Sequence, residues 1–595
     1  MGGIFGMISN TRPVAPIIRA GLERLSHRGI DGAGIVTIND DDFIIKKDAG
    51  RIDQINKELN FDDMPGYIGL GHVRSATHGR PAYENTHPLL DCTGNLAIVM
   101  DGILSNYYEL RKELGDAHNF TSRTDAELIV HLVEQGLNKG SNTINSLQYV
   151  QKLPGYFTIA LLDKRDKKIY ALSNGNPLII ATSENEVFLS SEEQALPMDQ
   201  LKLYTLSTGQ IAIMSANGIE FLSASTLQKL SLEPHRGIGQ FIEPSKGAFN
   251  HFMQKEIYDT SEAISRAANV LQVEYLRDAW LLISKARNVI LLGSGTSYHA
   301  SLIGKYYLNT LANIKSETIP AGEFLYEGIN NVEPGTLIIA ISQSGESADI
   351  IRSIRMAKRR GAVVLGIINR LGSTLMRESN VYLPIGAGPE IAVPATKSFT
   401  ASLAVLLQLA SMAREELEWA RMQLRRASSE IQEQLNSNAE KIRTITRDIS
   451  DFFNMYVISG GPMGLPLAME AALKLKEAAQ IHSEAMSFRE FKHGPMTLIS
   501  SKFPVLAIMP GNDVDDDMGP VLSEIWHRGG YIVTISQSNK VRGTSDHLLL
   551  VKHDLDKLMT PIMFSPIIQL IAYRLGVARD IDVDNPRNLA KVVTA

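Results

Sequence analysis

Two turns rich in hydroxyls and glycine carry the clearest chemistry in this sequence. Gly293-Ser294-Gly295-Thr296-Ser297 and Ser342-Gln343-Ser344-Gly345-Glu346-Ser347 each follow an apolar run that reads as a buried strand. Such turns gather free backbone N–H groups at the start of a helix, where the helix dipole also favours negative charge, and so cradle a phosphate. One turn of this kind could be simple N-capping. Two at equivalent places of one sheet point to an anion site built from Thr296, Ser297, Ser342, Gln343, Ser344 and Ser347. Farther on, Glu470, Lys474 and Glu477 are spaced i, i+4, i+7 and share one helix face. Alone, that spacing also suits a solvated, salt-bridged helix. Lys492-His493-Gly494-Pro495 then places a histidine in a glycine-proline turn, and Lys591 lies near the end of the chain. Carboxylates, an amine and an imidazole are residue types that can pass protons, so these positions are candidates for acid–base work beside an anion site.

The elements that must hold these residues repeat. Val289 to Gly293 recurs as Tyr456 to Gly460, 167 residues later, and Ile338 to Ile341 recurs as Val505 to Ile508 at the same offset. Gly361 to Leu365 recurs as Gly530 to Thr534, offset by 169. Apolar strands alternating with helices indicate two doubly wound parallel sheets, with ligands expected at the C-terminal ends of the strands. The second copy has Pro510-Gly511-Asn512-Asp513-Val514-Asp515-Asp516-Asp517 in place of the serine turn, and its carboxylates would repel a phosphate. The charged stretch Glu415 to Asp451 reads as a helix between the copies, and Pro234 to Lys246 as a linker after a region of short strands.

Composition sets the limits. The 595 residues are 44% apolar and 21% charged, ordinary for a globular protein, and the net charge of −6 with no basic cluster argues against nucleic acid. The single cysteine, Cys92, excludes an internal disulfide framework and a thiolate-rich metal site, and reads as a small apolar residue. The longest apolar helical run is expected at Ala401 to Ala413, too short to cross a bilayer. No metal or cofactor and no membrane are expected, and the protein is expected to be cytoplasmic.

The opening Gly2-Gly3-Ile4-Phe5-Gly6 resembles the start of class II glutamine amidotransferases, Cys-Gly-Ile-x-Gly. Arg28 to Gly34, His72 to Gly79, Asp101-Gly102-Ile103 and Arg123 to Glu127 match further motifs of that family in order and spacing. The resemblance implies an N-terminal nucleophile αββα domain whose Arg74, Thr77, His78, Gly102 and Asp125 form a glutamine pocket. It also implies three departures: glycine at the nucleophile (Gly2), a carboxylate in the oxyanion hole (Asp101), where it would repel a developing oxyanion, and Ser75 for a gating tryptophan. Glutamine hydrolysis is then not expected.

The remainder resembles the sugar isomerase (SIS) domains of the glutamine:fructose-6-phosphate amidotransferase family. The carrying motifs are the serine turn, Phe252 to Ile257, Ala321 to Phe324, Ala395 to Thr400, Lys492 to Pro495 and Asn585 to Lys591. The resemblance implies Glu477 as the base between C1 and C2, aided by Lys474 beside Glu470, His493 in ring opening from a neighbouring subunit, and Lys591 as imine former. Val393 and Ala590 join the sugar-phosphate contacts on the same ground. The expected domains are 1–235 glutaminase-like, 236–250 linker, 251–425 and 426–580 SIS, and a catalytic tail at 581–595. The expected function is ammonia-dependent synthesis of glucosamine 6-phosphate from fructose 6-phosphate by a homodimer or larger oligomer, with glutamine as a possible ligand. Phe488 and Phe491 before the histidine turn also suit a glucosamine-6-phosphate deaminase. Preserved Arg74 and Asp125 also suit a non-catalytic regulator.

Overall fold

The computed structural model describes residues 2–197, 201–235, 245–511 and 513–593. Most of the expected linker, residues 236–244, lies outside the described residues, as do Asn512 and the last two residues of the tail. The chain forms two compact units, Met1–Glu243 with Val592–Ala595, and Pro244–Lys591.

In the first unit, two seven-stranded sheets stack. The strand Gly2–Ser9 shows why. Ile4 and Ile8 point between the sheets and meet Val99, Ala160 and Leu162, whereas Phe5 and Met7 point outward onto the helix Ala15–Arg24 through Ile18 and Leu22. That period-2 alternation with both faces apolar requires cover on each side. The second sheet is covered by the helices Asp125–Asn138 and Thr143–Val150, which pack Ile129, Val133 and Leu147 on Ile98, Met100 and Ile159. The layering is αββα, and all strand pairs within both sheets are antiparallel.

The second unit contains two five-stranded sheets, all parallel and with the same strand order. In the first, Asn288–Gly293 lies between Glu317–Pro320 and Thr336–Ser342, followed by Val363–Ile368 and Val381–Pro384. In the second, Asn454–Ser459 takes the corresponding place. A layer of helices between the sheets forms one shared core: Thr296–Ala312, Lys397–Ser411, Leu417–Ile449, Gly461–Ala479 and Thr560–Ala578. Leu291 and Ile339 from one sheet, and Val457 and Leu506 from the other, face this layer. The outer faces are covered separately by Ala348–Arg359 and Asp513–His527.

The sequence expectation for the longest apolar helix needs correction. Lys557–Ala578, 22 residues with mean hydropathy 1.4, is long and apolar enough to span a membrane, but 83% of its apolar window is buried inside the protein. It is apolar all round because it lies at the centre of a helical layer.

Candidate active site

The first-copy turns are assembled at the C-terminal ends of their strands. The helix Thr296–Ala312 starts with Thr296 and Ser297 just after Gly295. In the second turn, the Ser342 hydroxyl accepts from Gly345 N–H at 2.9 Å, and Ser344 accepts from Glu346 N–H at 3.2 Å. These bonds curl the backbone around Gly345, whose φ of +66° is open to glycine at little cost. Ser347 precedes the first residue of Ala348–Arg359. In the second copy, the carboxylates of Asp516 and Asp517 turn outward to Lys540 and Arg489.

Glu470, Lys474 and Glu477 lie on the helix Gly461–Ala479, and they are not solvated: Lys474 is fully buried and Glu470 nearly so. The Lys474 ammonium bonds Glu477 and lies 3.5 Å from Glu470. Burial works to lower the Lys474 pKa, but the Glu477 and Glu470 carboxylates outweigh it and hold it above its ordinary value. Glu470 also accepts from Thr296 of the first turn at 3.1 Å and bonds His299 Nδ1 at 2.7 Å. The helix Gly461–Ala479 of the second copy is therefore tied to the turn at Thr296 of the first.

Lys591 is drawn inward. Its ammonium donates to Glu390 at 2.8 Å and to the Ala392 carbonyl at 2.7 Å, beside Val393. Val393 N–H donates to the Asp584 carbonyl, and the Asp584 carboxylate accepts from Phe252 and Met253 N–H at the start of the helix Phe252–Tyr258. Burial favours the neutral form of Glu390, but Lys591 and the N–H groups of Ser398 and Thr396 hold its pKa down at about 2. On the same helix as Met253, Glu256 is pushed up to about 8, by burial first and then by the Glu390 charge. The Glu390 charge also raises Lys474. Ala590 precedes Lys591 in the half-buried tail.

His493 lies on the surface, and among the described residues its ring has no hydrogen bond to Glu477 or Lys474. Phe488 and Phe491 are core residues: Phe488 fills the space over Gly460, and Phe491 packs edge-on against Tyr456 at 5.0 Å.

Sequence reasoning missed Glu390, Glu256 and His299. Glu390 had a signal, because it is the lone charge in Gly386-Ala387-Gly388-Pro389-Glu390-Ile391-Ala392, just past a strand end.

In the first unit, Arg74, Thr77, His78, Gly102 and Asp125 do come together, with His87, Met100 and Thr124, around a cavity of about 10 Å³. That is room for about one water. Arg74 spends its guanidinium on the carbonyls of His78 (2.6 Å) and Gly79 (2.8 Å). His78 stacks on Tyr107 and lies 3.3 Å from Asp125, which accepts from Leu104 N–H. Gly102 has φ +121°, and any side chain there would strike the Tyr156 carbonyl.

Asp101 corrects the expectation of a carboxylate facing an oxyanion. It accepts from Gly2 N–H at 2.9 Å and pairs with Arg28 at 2.6 Å, and Asn176 donates to it at 3.2 Å. Arg28 also holds Glu192 and the Gly2 carbonyl. At Gly2 there is no room for a side chain: a Cβ would collide with the Val73 carbonyl and lie 2.5 Å from His72 Nε2. His72 is fully buried and stacked on His87, and burial holds both imidazoles well below their ordinary pKa.

Residues 282–412 match the SIS domain family, and residues 73–198 match the glutamine amidotransferase domain family. The chain is 37% identical over 606 residues to a glutamine–fructose-6-phosphate aminotransferase (isomerizing) of Thermococcus kodakarensis, with 100% of each covered. It is 35% identical over 599 residues to the protein of that name from Aquifex aeolicus, again with 100% of each covered. The solved C-terminal domain of glucosamine-fructose-6-phosphate aminotransferase from Francisella tularensis superposes with a TM-score of 0.53 at 30% identity, covering 58% of this chain and 100% of that one. Fold and site define an SIS-type enzyme with a glutamine amidotransferase domain. The chain belongs to the glutamine–fructose-6-phosphate aminotransferase (isomerizing) family, enzymes of the transferase and isomerase type.

Proposed function

We propose that this enzyme makes glucosamine 6-phosphate from fructose 6-phosphate and free ammonia, and that its first unit no longer hydrolyses glutamine. The packing at Gly2 carries the ammonia dependence. A nucleophile needs a side chain at that position, and the Val73 carbonyl and the His72 ring take its space.

In the second unit, Thr296, Ser297, Ser342, Gln343, Ser344 and Ser347 hold the phosphate, with Val393 and Ala590 against the sugar. His493 helps open the ring, contributed from a neighbouring subunit. Lys591 adds its amine to the C2 carbonyl and water leaves to give the imine. Glu390, 2.8 Å away, holds the Lys591 ammonium in place, and the proton Lys591 sheds before attack leaves to water. Ammonia displaces the lysine to leave the C2 imine, and Glu477 then takes a proton from C1 and returns it to C2, while the C1 hydroxyl proton passes to the nitrogen, giving the C1 aldehyde and the C2 amine. Lys474, charged and fully buried beside Glu477 and Glu470, stabilises the ionised base. The three domains and tail expected from the sequence are kept in this reading, with both SIS domains serving one site.

The test is hexosamine phosphate formation from fructose 6-phosphate, with ammonium or glutamine as sole nitrogen donor. Product with ammonium alone supports the reading, and absence of product with ammonium defeats it.

A further inference from the structure

We propose that Cys92, His118, His131 and Glu134 form a binding site for a zinc-like divalent transition metal within the first unit. One potential ligand atom from each lies within 4.8 Å of all the others. Cys92 Sγ is 3.7 Å from His118 Nδ1 and 3.7 Å from His131 Nδ1, while Glu134 Oε2 is 3.1 Å and 2.9 Å from the same two nitrogens. A tetrahedral zinc centre has edges of about 3.6 Å between sulfur and nitrogen, and about 3.3 Å between nitrogen and oxygen, given its usual bond lengths. The four groups thus stand close to a metal's coordination polyhedron already. Thiolate, carboxylate and two neutral imidazoles would balance the charge of a divalent ion.

The surroundings fit as well. His131 Nε2, buried and without a hydrogen bond among the described residues, lies 3.9 Å from Glu127 Oε1. This approaches the carboxylate–histidine–metal relay that orients ligating imidazoles. Glu127 is itself fixed by Ser122 and Thr121. Asn119 N–H donates to the Cys92 sulfur at 3.3 Å, as a thiolate ligand favours. His131 and Glu134 are buried while Cys92 is exposed, which leaves a path for the ion from solvent. Lone-cysteine arithmetic hides this site in the sequence, because its four ligands come from a turn, a loop and a helix.

Four protein ligands make a closed, structural site rather than a catalytic one. The ion would fasten the turn at Cys92 and the loop at His118 onto the helix Asp125–Asn138, whose first residue lines the small pocket. His131 lies six positions along the helix from Asp125, roughly 9 Å of axial rise, so the two sites are distinct.

The experiment strips the full chain with a chelator, then titrates it with zinc against a chromophoric competitor and with cobalt for spectroscopy. Wild type should bind one equivalent, and the cobalt form should show a thiolate-to-metal charge-transfer band with strong tetrahedral d–d bands. Cys92→Ser, at an exposed position, and His118→Ala should keep the wild-type circular dichroism and bind zinc at least about 100-fold more weakly. Cys92→Ser should lose the charge-transfer band. Glu127→Gln should weaken binding about 10- to 100-fold. Calorimetry should show the first unit unfolding at a lower temperature after chelation. No stoichiometric zinc in wild type, or equal binding by Cys92→Ser and His118→Ala, would overturn the site and leave a hydrogen-bonded cluster only.

Discussion

Glu256→Gln should stabilise the second unit at neutral pH. Glu256 is buried, accepts from Ala392 N–H at 3.4 Å and also from Ile391 N–H, and among the described residues its second oxygen has no partner beside the Glu390–Lys591 pair. Its pKa rises from an ordinary 4.5 to about 8 in the folded chain. A group whose folded pKa is raised contributes stability fully below its unfolded pKa and loses that contribution as pH climbs to the folded one. Between those limits the native state keeps a proton that the unfolded chain has released, so stability falls by about 1.4 kcal/mol per pH unit. The total is on the order of 5 kcal/mol, of which about 3 kcal/mol is lost by pH 7. Glutamine imitates the protonated acid and has no such slope. All three tryptophans, Trp280, Trp419 and Trp526, lie in the second unit, so denaturant unfolding followed by tryptophan fluorescence reports that unit alone. The wild-type minus Glu256→Gln difference should be near zero at pH 4.5 and should favour the variant by up to about 3 kcal/mol at pH 7. Parallel pH curves, or a variant less stable at pH 7, would refute the argument for a neutral Glu256.

Three further outcomes follow from the same geometry. Lys591→Met removes the cation from the buried Glu390 and should cost about 3–5 kcal/mol as well as amination, with Glu390→Gln in the same chain restoring stability but not activity; full activity in Lys591→Met would reject the imine role. Gly2→Ala should destabilise the first unit by about 1–3 kcal/mol through overpacking against Val73 and His72, read by calorimetry, and an unchanged melting temperature would show that the space is there. Gly345→Ala places a Cβ at φ +66° against the Ser373 hydroxyl and should raise KM for fructose 6-phosphate at least about tenfold, or 1.4 kcal/mol, whereas an unchanged KM would move the phosphate elsewhere.

The paired sheets were legible because buried parallel strands are apolar throughout, so the recurrences at Val289/Tyr456 and Ile338/Val505 align as strands of equal rank. The Leu417–Ile449 helix followed from the charged, proline-free stretch Glu415 to Asp451. The grouping of Glu470, Lys474 and Glu477 could be read because helix geometry is local. Their burial could not, because it depends on Thr296 and His299, 174 and 171 residues away from Glu470. The same holds for Lys591, whose partner Glu390 is 201 residues distant. At Asp101, the sequence revealed a carboxylate but not its turn toward Arg28, 73 residues earlier, which changes its meaning from repelling a reaction to holding a strand end. Phe488 and Phe491 lie close to the histidine turn in sequence, and their packing in the second sheet's outer core depends on Tyr456 and Gly460, which local sequence could not pair with them.

The most direct test of the central claim supplies the enzyme with fructose 6-phosphate, unlabelled ammonium and glutamine carrying isotopically labelled amide nitrogen in one reaction. With Gly2 closed off by Val73 and His72, the glucosamine 6-phosphate formed should be unlabelled, and no glutamate should appear. Label in the amino group of the product, with glutamate released alongside it, would contradict the account.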